Sequence, residues 1–454
     1  MRKAVIVAVL AAAVLSSCST KSKSSSTSAP TTVGGAPTSA SSTSTSAVSA
    51  GPLGQGVTDT TIRVGITYVD LAAIRSVTNI DHGDYQTAFT AIVDDINANG
   101  GINGRKIVPY FAPINPIGTA PAADACTKLT EDDKVFAVIG FFNGSDPLCY
   151  LVTHGVPIVS DGPATGASLS AAQQQQAKAP WFSYILSDDH LVPKEIDAFN
   201  QQSVFAGHKV AVVGMAQDQQ TVDNVVLPEL RKLGVNVVQT AINSAPPTDT
   251  NATYQQFELI AQKFQALGAD VVIAAGAGAS QTWPQALTVN RSTYLPRLVA
   301  TSYNSLRAYL VQKGGYNPAV LQNAVSGNSQ VPAYDGWQDA GMQHCVSVIE
   351  AAHPSEPVLT PTPSNSNGEP QSWVSAQSAC ATVTLFAAIA KAAGATLNIS
   401  TFLKGGESLT NFSLPGSDVT GPLNFSPDFH DGNAPIVTFT WDQATKQFVS
   451  STGN

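Results

Sequence analysis

The sequence predicts an α/β protein of two doubly wound lobes, and three observations lead there. Short, nearly continuous apolar runs alternate with amphipathic helical patterns, as a parallel sheet covered on both faces requires. The alternation starts near residue 57 and restarts near residue 186. The part that can fold, about 400 residues, also exceeds the size at which a single core stops growing.

The elements follow in order. Ile62 to Thr67 is a strand pattern, and Asp84 to Ala98 is helical, with Ala88, Ile92 and Ile96 on one face. Asn99-Gly100-Gly101 stops that helix. Lys106 to Phe111 is a strand, Pro121 to Thr130 a helix, Val135 to Gly140 a short apolar strand, and Val156 to Val159 another. The second unit repeats the alternation: strand Lys209 to Gly214, helix Thr221 to Leu233, strand Val235 to Ala241, helix Tyr254 to Leu267, then strands Asp270 to Ala275 and Leu298 to Thr301. After it come two helices, Trp337 to Ala352 and Val374 to Ala393, and a hairpin of Ile436 to Trp441 with Gln447 to Ser450.

The N-terminus has a different character. Arg2 and Lys3 precede an apolar run from Ala4 to Leu15, then Ser16-Ser17-Cys18. This is a signal-peptide pattern over 1–17, too short for a membrane span of about 20 apolar residues. Small residues ahead of a cysteine resemble a bacterial lipobox, which implies lipidation of Cys18 and export to the outer face of the cell membrane. Residues 19–56 are mostly Ser, Thr, Ala, Gly and Pro without an aromatic side chain. They cannot bury enough apolar surface to offset ordering, so 18–56 reads as a lipidated cysteine with a disordered tether.

Charge narrows the function classes. The formal net charge is −9, and loss of Arg2 and Lys3 leaves 21 basic against 32 acidic residues, or −11. With no basic run in the folded part, nucleic acid is not an expected partner. Of the five cysteines, Cys18 aside, Cys126, Cys149, Cys345 and Cys380 remain. Two disulfides are expected of an exported chain, and of three pairings the local one, Cys126–Cys149 with Cys345–Cys380, is favoured by sequence neighbourhood. No cysteine–histidine spacing suggests a metal, and no phosphate loop or nucleophile motif suggests an enzyme or a cofactor. Asp188-Asp189-His190 reads as a solvated loop or helix cap, and Gly276-Ala277-Gly278 is too short a match for a dinucleotide fingerprint.

The run Ile96-Asn97-Ala98-Asn99-Gly100-Gly101-Ile102-Asn103-Gly104-Arg105-Lys106-Ile107 resembles a segment of type 1 periplasmic binding proteins of the branched-chain amino acid group. Weaker likenesses follow in order: Ser378 to Gly394 and Gly421-Pro422-Leu423-Asn424-Phe425. The resemblance implies two lobes joined by three crossovers, 57–185 plus 330–420 and 186–329 plus 421–454, closing on a ligand in the manner of a Venus flytrap. It also implies an ABC transporter substrate-binding role, with a membrane permease as partner and no catalysis. A ligand-sensing receptor is the alternative, and an exported enzyme on the same scaffold a third reading.

Open parallel sheets bind ligands beyond the carboxyl ends of their strands, which selects the candidates. After the third strand come Asn143, Gly144 and Ser145, the turn that the family uses for a ligand carboxylate. Ser160, Asp161 and Gly162 follow the fourth strand. In the second lobe Thr221, Gly278, Ser280, Tyr303 and Asn304 follow strands. Tyr85, with Phe141 and Phe142, leaves room for an apolar or aromatic part of a small polar ligand. The family often holds a ligand ammonium with an acid in lobe 2; Thr221 and Gly278 to Gln281 stand there instead.

Overall fold

The computed structural model describes residues 52–75, 80–115, 120–142, 146–161, 175–246, 249–310, 315–362, 371–419, 421–432 and 434–451. Cys18 and residues 19–51 of its tether lie outside them, whereas 52–56, expected to be disordered, are part of the fold: the Gly54 amide donates to the Leu397 carbonyl at 2.8 Å and the Arg63 amide to the Gly56 carbonyl at 2.8 Å. In the first lobe β1 (Thr61–Val69), β2 (Lys106–Ile114), β3 (Ala137–Gly140), β4 (Ile158–Ser160) and β5 (Trp181–Ser183) form one parallel sheet in the order β2-β1-β3-β4-β5. Every residue of β3, β4 and β5 is buried, which is why these strands read as apolar runs rather than alternating ones. Helix α1 (Tyr85–Ala98) connects β1 to β2; Asp84 caps it by accepting from the Thr87 amide at 3.1 Å. Its inner face buries Tyr85, Ala88, Phe89, Ile92 and Val93. Helix α2 (Ala120–Thr127) is shorter than its sequence pattern, because the chain widens into a π-turn over Lys128–Asp132.

The second lobe repeats this order. Helix α3 (Asp188–Gln201) enters it. Then come β6 (Val210–Met215), helix α4 (Leu227–Lys232), β7 (Val237–Asn243), α5 (Thr250–Leu267), β8 (Val271–Ala274), α6 (Gly276–Val289), β9 (Arg297–Ala300), α7 (Tyr303–Leu310) and β10 (Val325–Asn328). The parallel core β7-β6-β8-β9-β10 has the same succession as β2-β1-β3-β4-β5. Each lobe is therefore a copy of one topology, which makes strand-end positions comparable between them.

The chain then returns. Helices α8 (Ala340–Ala352), α9 (Trp373–Ala392) and α10 (Ile399–Glu407) pack on the first lobe, α8 and α9 against α1. Helix α9 is long and apolar enough to cross a membrane, but most of it is covered by protein. It serves as a core helix. Phe402 of α10 is fully buried among the rings of Phe136, Phe182 and Phe386. The hairpin β11 (Val437–Asp442) and β12 (Gln447–Ser451) extends the second sheet, β11 antiparallel to β10. Both disulfides take the local pairing, Cys126–Cys149 and Cys345–Cys380, and the second staples α8 to α9.

Three crossovers join the lobes, all at the carboxyl edges. Residues 184–187 leave β5, residues 329–332 leave β10, and the segment before β11 arrives beside the end of β10. The first and third are tied together. The Ser187 amide donates to Asp431 Oδ2 at 2.7 Å, His190 Nδ1 lies 2.8 Å from the same oxygen, and Lys194 Nζ donates to the Ala434 carbonyl at 2.8 Å. Asp188 and Asp189 do open a helix, but His190 is an ion-pair partner of a buried aspartate rather than part of a solvated loop. The second crossover pairs with residues 417–419 through Val331 N to Asp418 O at 2.6 Å and Gln330 Nε2 to Ser417 O at 2.8 Å.

Candidate functional site

Because both sheets end at the crossovers, their carboxyl edges flank the same region. In lobe 1 that edge carries rings and carboxyls. Tyr68, on β1, stacks on Tyr85, the first residue of α1, with centroids 5.9 Å apart, and Phe111 meets Tyr68 edge-on at 6.4 Å. The Tyr85 hydroxyl is 3.0 Å from His82 Nδ1. Directly after β4, Asp161 gives its amide to the Gly140 carbonyl at 2.9 Å and receives the Ser378 hydroxyl on Oδ2 at 2.9 Å. Burial pushes the Asp161 carboxyl up to about 6, with Ser378, its own amide and His82 opposing. One residue along α9, Gln377 donates to Asp418 Oδ2 at 2.5 Å. Burial raises Asp418 to about 8, against Gln377, and Asp335 adds to the rise. Tyr184, in the first crossover, is 4% exposed and feels Asp161, Asp418 and Tyr85.

Lobe 2 arranges its carboxyls differently. Asp218, just past β6, is buried and accepts the amides of Met215, Gly278 and Ala279, thereby capping α6 from outside that helix. Burial, aided by Asp188, still raises it to about 7. Gly276 has φ +82°, and a Cβ there would overlap the Asp218 carboxyl. The Gly276 amide donates to Thr301 Oγ1 at 2.8 Å. The Thr221 hydroxyl donates to Asp188 Oδ2 at 3.3 Å. Arg307 lies 5.7 Å from the centre of the Tyr303 ring, and its charge also reaches Tyr334.

The residues singled out from sequence are placed unequally. Asn143, Gly144, Ser145 and Gly162 fall outside the described residues. Tyr85 and Asp161 share the lobe 1 cluster, and Ser160 beside them is fully buried. Thr221 and Gly278 stand at the lobe 2 edge, the first bonded to Asp188 and the second to Asp218. Asn304 opens α7 and is half-buried. Ser280 turns inward: it is buried and its hydroxyl donates to the Ala274 carbonyl at 3.0 Å, so its oxygen is committed to the fold. Tyr303 likewise stacks on Phe439 with centroids 3.8 Å apart, and burial pushes its hydroxyl up to about 12. These two are packing residues. No acid stands at Thr221 or Gly278 to Gln281, as expected, but two carboxyls the sequence reading passed over lie beside them, Asp218 and Asp188, the first committed to backbone amides. Sequence reasoning also passed over Tyr184, Ser378 and Asp418. Asp218 could have been found from its position just past β6; Tyr184 follows a strand too short and polar to read, and Ser378 and Asp418 lie far along the chain with no local signal.

Residues 62–447 match the model of the family described as "Periplasmic binding protein". No curated protein matches significantly. Solved structures share the fold at low identity. The ABC transporter substrate-binding protein of Desulfitobacterium hafniense in complex with Leu is 17% identical, with a TM-score of 0.55 over 86% of this chain and 99% of that one. A fatty acid ABC transporter substrate-binding protein from Thermomonospora curvata is 13% identical, with a TM-score of 0.58 over 88% and 93%. A solute binding protein of an ABC transporter from Rhodopseudomonas palustris BisB5, in complex with 3,4-dihydroxy benzoic acid, is 13% identical, with 0.57 over 87% and 97%. With its repeated sheets, three crossovers and a match over most of its length, the chain belongs to the periplasmic binding protein family.

Proposed function

We propose that this protein is an extracytoplasmic solute-binding lipoprotein of an ABC-type importer. It captures a small polar metabolite, an amino acid or a related amide or acid, by closing lobe 1 (57–185 plus 330–420) on lobe 2 (186–329 plus 421–454). The observation that carries this reading is the meeting of both carboxyl edges at three crossovers, within a family match over 62–447. A ligand that touches both edges favours the closed arrangement by its extra contacts, and a membrane permease can read that closure. The structures of similar fold carry leucine, a hydroxylated benzoate and, by name, fatty acid, so the scaffold tolerates varied cargo. Here hydroxyl and carboxyl groups at the strand ends favour a polar one. The protein would release its cargo unchanged. Cys18 would carry the lipid, and the following tether would let the lobes reach the permease.

The test is a thermal-shift screen of metabolites on the purified protein. A ligand at 100 times its Kd should add about 2.7 kcal/mol of stability. A screen across amino acids, amides and organic acids without one stabilising compound would sink the reading. For the anchor, radiolabelled palmitate should enter the wild type and not Cys18→Ala; equal labelling would rule it out.

A further inference from the structure

The lobe 1 cluster has an imbalance that the solute-binding reading does not explain. Asp161 and Asp418 are anchored from adjacent residues of α9, Ser378 and Gln377, each through one oxygen. Neither pairs with a lysine or arginine among the described residues; the one basic group acting on Asp161 is His82, and Asp335 adds a further negative charge beside Asp418. Between them Tyr184 is 4% exposed, and its hydroxyl has no hydrogen-bond partner among the described residues. The residue is buried but its hydroxyl is not among the enclosed unbonded groups, so this oxygen borders open space close enough to feel both carboxylates and can meet a group that enters there. The stacked Tyr68 and Tyr85, with Phe111 at the edge of Tyr68, lie alongside.

Resting on that reading, we propose that this cluster is the subsite for a positively charged group: the cargo is a small organic cation, an amine or guanidine on an aromatic or apolar body. Asp161 and Asp418 accept its N–H groups through their free oxygens, the Tyr184 oxygen accepts another, and the aromatic faces take the cation or its body. Once the carboxyls ionise, neutral hydroxyl compounds would satisfy the hydrogen bonds but leave that charge without a counterion. An anion would meet both carboxyls directly.

The experiment uses tyramine and agmatine, with tyrosol and 4-hydroxyphenylacetate as neutral and anionic matches to tyramine. Binding to the purified full-length protein is measured by calorimetry at pH 8 and pH 5.5. At least one amine should bind, and tyrosol and 4-hydroxyphenylacetate should bind at least about tenfold more weakly. Asp161→Asn and Asp418→Asn should each weaken the amine by about tenfold or more. If either fails to fold, the wild type still decides the matter, since affinity for the amine should rise from pH 5.5 to pH 8 as the carboxyls ionise. The inference is overturned if neither amine binds, if a neutral or anionic match binds equally well, if both folded variants bind as the wild type does, or if affinity does not rise with pH. Binding of 4-hydroxyphenylacetate instead of the amines would leave solute capture standing and remove the cation; silence from these probes and from the wider screen would remove both.

Discussion

The two carboxyl edges can be compared position by position, because β6, β8 and β9 occupy in lobe 2 the places of β1, β3 and β4 in lobe 1. Past β6, Asp218 is surrounded by backbone amides and holds the start of α6 in place. Past β4, Asp161 has one hydroxyl and its own amide, and past β1 the edge is aromatic. One residue type thus serves to build one edge and to equip the other. Burial of an aspartate does not reveal which role it has; the count and kind of donors around it does. Lobe 1 is also the lobe with both disulfides, so the edge whose aspartate has fewer backbone donors sits on the more heavily stapled half.

The comparison is tested most severely at its glycines. Gly140 ends β3 with φ +108°, and Gly276 follows β8 with φ +82°. A Cβ at Gly140 would overlap the Thr67 carbonyl oxygen, part of the neighbouring strand, which cannot rotate away. At Gly276 it would overlap a side chain, Asp218, which can move if it gives up its amides. Gly140→Ala should therefore be the costlier, at about 4 kcal/mol or more, against about 2 to 3 for Gly276→Ala. Urea unfolding of both variants checks the order; equal losses would mean that the two turns are held alike.

Reduction separates the lobes next. The bridges close loops of sequence separation 23 and 35, and each should contribute about 3 to 4 kcal/mol in the chain-entropy model. Both lie in lobe 1. Dithiothreitol should therefore lower the stability of that lobe alone and split a single melting transition into two, the earlier one reporting on Tyr68 and Trp181 rather than Trp283. A uniform shift of one transition would show the lobes to be thermodynamically inseparable.

Much of this comparison could be drawn from the sequence, and the reasons are physical. Strands buried on both faces announce themselves as apolar runs, so β1, β3, β6 and β8 were found within a few residues of their observed bounds. Strands β5 and β10 were missed because Trp-Phe-Ser and Val-Ser-Gly-Asn are short and partly polar. Helix α6 was missed because Gly276, Gly278 and Pro284 imitate a loop; the cap that makes it a helix comes from Asp218, far back in the chain. The site divides the same way. Asp161 follows a strand and was readable, whereas Tyr184, Ser378 and Asp418 come together only through a crossover and the returning helices.

The smallest expected effect separates the two aspartates themselves. Asp161, Asp218 and Asp418 all have folded values above the ordinary 3.8, at about 6, 7 and 8. A raised carboxyl binds its proton more tightly in the folded state, so its contribution is complete below pH 3.8 and is lost as pH rises through the folded value. The ligand-free protein should consequently lose stability between about pH 5 and pH 8, each aspartate contributing to the slope. Substitution by asparagine removes that slope at each site, but the level differs. Asparagine at 218 must turn an NH2 toward backbone amides that need an acceptor, and at pH 8 it should cost about 1 kcal/mol. Asparagine at 161 still accepts from Ser378 and removes a desolvated charge, so at pH 8 the ligand-free protein should be unchanged or slightly more stable. Melting curves of the two variants at pH 5 and pH 8 decide it. Opposite signs at pH 8 would establish that lobe 2 spends its aspartate on structure while lobe 1 holds its own in reserve for a ligand; the same sign would make Asp161 another structural cap.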